Sequence, residues 1–150
     1  MTNNVRKNCT TIALILLVLC SLLLSSCGIS VDDGKTLVGD FCTALKGDDY
    51  ERAAQLIHPS NEATAEQLRE SISTIENRYS IDFSDGVSFL RCINMSSNSN
   101  IGTNGKVNSL SLSYEVVISG EELILSVVIV DSSEGYGIYS FVIESNTDAI

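Results

Sequence analysis

The spacing of apolar residues changes once along this chain, from a helical period to strict alternation, and that change restricts the fold more than any motif does. Leu37, Val38, Phe41, Cys42 and Leu45 form one helical stripe from Lys35 onward, and Gly47 is its stop. Asp48 or Asp49 can cap a second short helix that carries Tyr50, Ala53, Ala54 and Ile57 inward and ends at Pro59. Thr64-Ala65-Glu66-Gln67 reads as a capping box, which starts a third helix with Leu68, Ile72, Ile75 and Tyr79 on its dry side. Beyond these the alternation begins. Val87 to Asn94 reads as a strand with mixed faces, and residues 96–105 (SSNSNIGTNG) as a flexible hairpin loop. Leu110, Leu112, Tyr114, Val116 and Ile118 alternate with serines and Glu115, the pattern of a half-buried antiparallel strand. Residues 123–130 are apolar on both faces except at Ser126, which predicts a central strand covered on both sides, and residues 136–143 return as a last strand. The order implies an α+β protein: three N-terminal helices packed on one face of a curved antiparallel sheet of about four meandering strands.

The first 26 residues stand apart from that body. Arg6 and Lys7 precede an apolar run of 13 residues, 12–24, interrupted at Ser21. At 1.5 Å per residue such a run covers about 20 Å, short of a hydrocarbon core of roughly 30 Å. Positive start, short apolar middle and small residues are the parts of a secretory signal. Leu24-Ser25-Ser26-Cys27 then resembles the lipobox of bacterial lipoproteins. The resemblance implies a diacylglyceryl group on the Cys27 thiol, cleavage just before it, and a bacterial cell membrane location on the extracytoplasmic face. Two acyl chains meet the requirement for stable anchoring. On this reading residues 1–26 are a signal peptide, 27–34 a tether reaching roughly 25 Å when extended, and 35–150 the domain.

Loss of residues 1–26 removes two bases and no acid, leaving seven basic against 19 acidic side chains, a net of −12. A body so charged is repelled by nucleic acid, so no nucleic-acid partner is expected. With Cys27 acylated, Cys42 and Cys92 remain, either bonded to each other in an oxidising compartment or as two buried free thiols. Neither belongs to a C-x-x-C pair, and no metal site or cofactor fingerprint is present in the sequence.

Residues 41–59 (FCTALKGDDYERAAQLIHP) resemble the opening of nuclear-transport-factor-two-like, or cystatin-like, domains: an apolar helix, a Gly-Asp break, and a helix Tyr-Glu-x-Ala closing on His-Pro. Residues 134–141 (EGYGIYSF) are similar to the closing strand of that family, with Tyr136 where tryptophan is usual and Gly137 where a base is usual. The resemblance implies a cystatin-like cone and leaves activity open, because such folds host enzymes and binding modules alike.

Three features bear on chemistry. His58, the single histidine, sits at a helix end, where capping of the last carbonyls competes with proton transfer. Asp82, Ser84 and Asp85 begin like a calcium loop, but Gly86 fails the next ligand position and the closing glutamate is missing. Arg91 lies on an otherwise apolar strand face, where it pairs with a helix acid or grips an anionic ligand. The expectation is a membrane-anchored binding or scaffolding module for a small ligand or a protein, with the sheet available to a second copy or another partner. The alternative is a cone-pocket acid–base enzyme of isomerase or dehydratase type, using a buried carboxylate or imidazole.

Overall fold

The computed structural model describes residues 28–102 and 105–146, so Cys27 and the signal segment lie outside the described residues. Three helices, α1 (Val31–Lys46), α2 (Tyr50–Gln55) and α3 (Ala65–Tyr79), precede four strands, β1 (Ser88–Gly102), β2 (Gly105–Ile118), β3 (Glu121–Ser132) and β4 (Gly135–Ser145). The strands form one open antiparallel sheet in the order β1-β2-β3-β4. The architecture is therefore α+β, with the helices N-terminal to the sheet.

Local chemistry accounts for the helix limits. Asp32 and Asp33 occupy the first turn of α1 and Lys46 its last turn, each placed favourably against the helix dipole. Asp49 caps α2 by accepting from Arg52 N, and the Thr64–Gln67 capping box opens α3. The start of α1 at Val31 shortens the expected tether: Gly28, Ile29 and Ser30 alone precede it, with Ile29 packed on the core. Gly34, which the sequence reading assigns to the tether, is helical because α1 crosses the sheet there. A Cβ at Gly34 would stand 2.5 Å from Leu110 Cδ2 and 3.2 Å from Ile129 Cδ1.

The helix-facing side of the sheet carries Leu110, Leu112, Tyr114, Val116 and Ile118 of β2 against Leu123, Leu125, Val127 and Ile129 of β3, all buried. Val38, Phe41 and Leu45 of α1 and Phe83 complete that core, with Phe41 and Phe83 packed on Phe141 at ring separations of 5.1 and 6.1 Å. Each such side chain contributes roughly 1.5–3 kcal/mol on burial.

Two expectations for the sheet are corrected. Residues 96–102 are strand, not loop: the β1–β2 ladder runs in register from Asn94↔Ser113 to Gly102↔Gly105. β3 is covered on one face rather than both. Of its outward residues, Ile124 is buried while Ser126, Val128 and Val130 are half-buried, flanked on β2 by Glu115, Ser113, Ser111 and Ser109. The outer face thus carries apolar side chains of β3 and Val142 of β4 beside a serine margin on β2, and the Ser113 and Ser126 hydroxyls meet at 3.0 Å.

The two sheet edges differ. Along β4, Ile57 forms a parallel bridge with Ile138, His58 N donates to Ile138 O and Ile138 N to Leu56 O, both at 2.8 Å. Asn61 Nδ2 donates to Tyr139 O at 2.8 Å. This chain passes so close that a Cβ on Gly137 would stand 2.7–2.8 Å from backbone atoms of Ile57 and His58, which accounts for the glycine. β1 has no such cover, and all of its residues are exposed.

Candidate functional site

β1 departs from the helix layer near its start, where bulges interrupt its register between Phe89 and Arg91 and between Cys92 and Asn94. The divergence opens a cleft between β1 and one flank of α1. It consists of two adjoining depressions that share Gly39 and Phe89. One, of about 260 Å³, is lined by Lys35, Val38, Gly39, Phe89 and Tyr114. The other, of about 300 Å³, adds Cys42, Thr43 and Lys46 from α1 and Asp85 to Ser88 from the approach to β1.

Gly39 forms the gap between them. No atom lies within 4 Å of where its Cβ would be, so the residue weakens α1 by about 1 kcal/mol relative to alanine without any packing demand. Phe89 stands edge-on to Tyr114, 5.1 Å between ring centroids, and the pair forms an aromatic wall. Lys35 borders one depression and Lys46 the other. Two of the seven mature cations therefore flank an apolar floor in a protein of net charge −12.

Two groups of the cleft wall, Cys42 and Tyr114, are held neutral. Burial pushes the Cys42 thiol up to about 12, so it stays protonated and unreactive at physiological pH. Burial, with Cys92 and Cys42 nearby, raises the Tyr114 hydroxyl above its ordinary value. These two groups offer neutral contacts and a hydroxyl rather than a nucleophile, while Lys35, Lys46 and Asp85 supply the charges at the cleft margins.

Elsewhere the predicted residues fall in separate places. Cys42 is buried and Cys92 exposed, both free thiols, so the structure contains no bond between them. Arg91 pairs with a strand acid, not a helix acid: Nε donates to Glu115 Oε2 at 2.7 Å and Nη2 to Oε1 at 2.5 Å. The bulge at Leu90 turns Arg91 to the outward face of the sheet, beside its ladder partner Glu115. That face is away from the cleft, and the guanidinium is already occupied by a carboxylate.

His58 is buried and acts as a fastener. Ser60 N donates to Nδ1 at 3.2 Å, which leaves Nε2 to carry the proton and donate to Gly135 O at 3.1 Å. It therefore caps the following turn, Pro59–Asn61, and ties it to the β3–β4 hairpin, rather than capping the carbonyls of α2. Asp82 accepts from Ser84 N at 2.8 Å and Asp85 from Ser119 Oγ at 2.7 Å, the bonds of a solvated turn. Among the described residues, no three of His, Cys, Asp or Glu are grouped as metal ligands, and no helix is long and apolar enough to cross a membrane.

A third depression, of about 320 Å³, lies where the chain enters the domain, lined by Gly28 to Ser30, Asp33, Asp131 and Tyr136. No protein-family model matches the chain, and no curated protein or solved structure is significantly similar to it. Sequence reasoning missed the α1–β1 cleft because its walls come from two distant segments without a shared motif. The usable signals were an interior helical glycine, Gly39, and the lysines on either side of it, Lys35 and Lys46.

Proposed function

We propose that the protein is an extracytoplasmic lipoprotein, anchored through a diacylglyceryl group on Cys27, whose domain binds a small apolar molecule bearing an anionic group in the α1–β1 cleft. The fold we assign to that domain is the cystatin-like cone, on the resemblance in residues 41–59 and 134–141. One observation carries the ligand class: Lys35 and Lys46 flank an apolar, aromatic-walled cleft in an otherwise strongly acidic body. A ligand with an apolar body and a carboxylate or similar head matches that distribution, since pockets are mostly apolar with a few placed polar groups. The acid–base alternative has little to work with: no carboxylate or imidazole lines the apolar depression, and Asp85, in the adjoining one, is at an exposed turn and accepts from Ser119 Oγ.

The test uses the fluorescent fatty acid parinarate as probe. Saturable binding to the wild type is expected, with a loss of about tenfold or more, equivalent to ~1.4 kcal/mol, on Gly39→Leu. That substitution fills the gap while improving helix propensity, so folding is retained. Absence of saturable binding, or an unaltered Gly39→Leu, refutes the ligand assignment. Mass spectrometry of the N-terminus tests the anchor separately: an unmodified Cys27, or cleavage elsewhere, refutes it.

A further inference from the structure

We infer that the exposed half of β1, from Met95 to Ile101, is the surface that rests on the lipid bilayer. The inference depends on the anchor at Cys27 proposed above and adds an orientation to it.

The first argument is reach. Three residues separate Cys27 from α1, a span of at most about 10 Å, so the part of the domain beside Gly28 must meet the membrane. That part is the middle of β1: a Cβ on Gly28 would stand 3.9 Å from Ser97 Oγ. Met95 and Ile101 lie on either side of Ser97 along the strand, on the same face of it as Ser97.

The second argument is the surface itself. Met95 is 53% and Ile101 84% exposed, and of the large apolar side chains exposed among the described residues, two-thirds belong to the β1–β2 hairpin. Burial of such groups among acyl chains is favourable in proportion to their apolar area. Among the described residues, no strand lies beside the outer edge of β1. Its backbone groups need partners, and interfacial water and lipid phosphates supply donors and acceptors there.

The third is charge. Residues 86–114 contain no acid, although the mature chain holds 19; they carry Lys106, and Arg91 is neutralised by Glu115. A body of net −12 can approach an anionic bilayer with least repulsion through this segment. Acids beside residues 28–30 are Asp32 and Asp33 in the first turn of α1, and Asp131 of β3. β3 lies two strands in from the β1 edge, roughly 10 Å, so contact through β1 holds Asp131 back in water. The β1–β2 ladder also continues to Gly102↔Gly105, whereas the β2–β3 ladder stops at Asn108↔Asp131. The hairpin tip therefore stands proud of the acidic side by about three residues, roughly 10 Å.

The chain contains no tryptophan, so single tryptophans report without background. Full-length protein carrying Met95→Trp, Ile101→Trp or Val142→Trp is processed in cells, purified, and reconstituted in vesicles of phosphatidylglycerol and brominated phosphatidylcholine. Val142, 42% exposed on β4, is the distant control. Positions 95 and 101 are expected to lose most of their emission to the bromines and shift to shorter wavelength, while position 142 keeps its emission. If either position 95 or position 101 is quenched no more than position 142, the inference is overturned. Pairing of β1 with a second copy or with another protein would give that result. Mass spectrometry on the same samples separates the two levels. An unacylated Cys27 removes the anchor, whereas an acylated protein with unquenched reporters removes the orientation alone.

Discussion

Gly137→Ala tests the packing of the covered β4 edge, and its magnitude follows from the geometry. The added methyl would lie 2.7–2.8 Å from His58 N, His58 Cα and Ile57 C, whereas unstrained carbon contacts lie at about 3.5–4.0 Å. Relief requires a shift of nearly 1 Å in a segment held by two 2.8 Å backbone hydrogen bonds to Ile138. Overpacking of this kind costs about 1–3 kcal/mol, and each weakened backbone bond adds about 1 kcal/mol. The expected loss is therefore about 3 kcal/mol, or roughly 10 °C in melting temperature for a body of this size. Urea unfolding of residues 28–150 followed by circular dichroism measures it, with an unchanged slope showing that compactness is preserved. Gly39→Ala is the internal contrast, because nothing lies within 4 Å of its Cβ position. There a gain of about 0.5–1 kcal/mol is expected from helix propensity. A Gly137→Ala variant within ~0.5 kcal/mol of wild type would refute the argument that this edge is closed by tight backbone approach.

Two further outcomes follow from the side chains. Iodoacetamide at mildly alkaline pH should modify Cys92 quickly and leave Cys42, with its thiol near 12, untouched until the protein unfolds. Protection of both that a reductant abolishes would instead mean a bond between them. The hydrogen bond from Arg91 holds the Glu115 carboxyl below its ordinary value of 4.5, so this pair stabilises the fold above that pH and ceases to do so as pH falls through the lowered value. Arg91→Ala should accordingly differ from wild type in unfolding midpoint near neutrality, less so in high salt, and converge with it in strong acid. A difference that persists in strong acid would assign the effect to packing of the arginine stem.

The legible part of this fold was the part with one wet and one dry face. Period 3.6 in α1 and α3 and period 2 in β2 come from that asymmetry, and the Thr64–Gln67 box was visible because its chemistry is local. The second half of β1 was illegible for the same reason reversed. Ser96 to Gly102 is wet on both faces, so no alternation marks it, and its serines and asparagines are poor strand formers. Its pairing with β2 overrides that propensity. Arg91 was assigned to the wrong face because bulges shift the alternation and have no sequence signature of their own. β3 was read as covered on both sides because an unbroken apolar run does not say whether a second layer exists. The start of α1 was missed at Gly34, whose glycine answers to Leu110 across the core rather than to a turn. The cleft was legible in neither wall alone.

Crowding raises local concentration, and a bare strand edge under those conditions invites templated stacking. Residues 57–61 lie across Gly135 to Tyr139 of β4, so that part of its margin is closed to a neighbour's strand. Templated growth is thereby limited to β1 and to the remaining half of β4, Ser140 to Ser145.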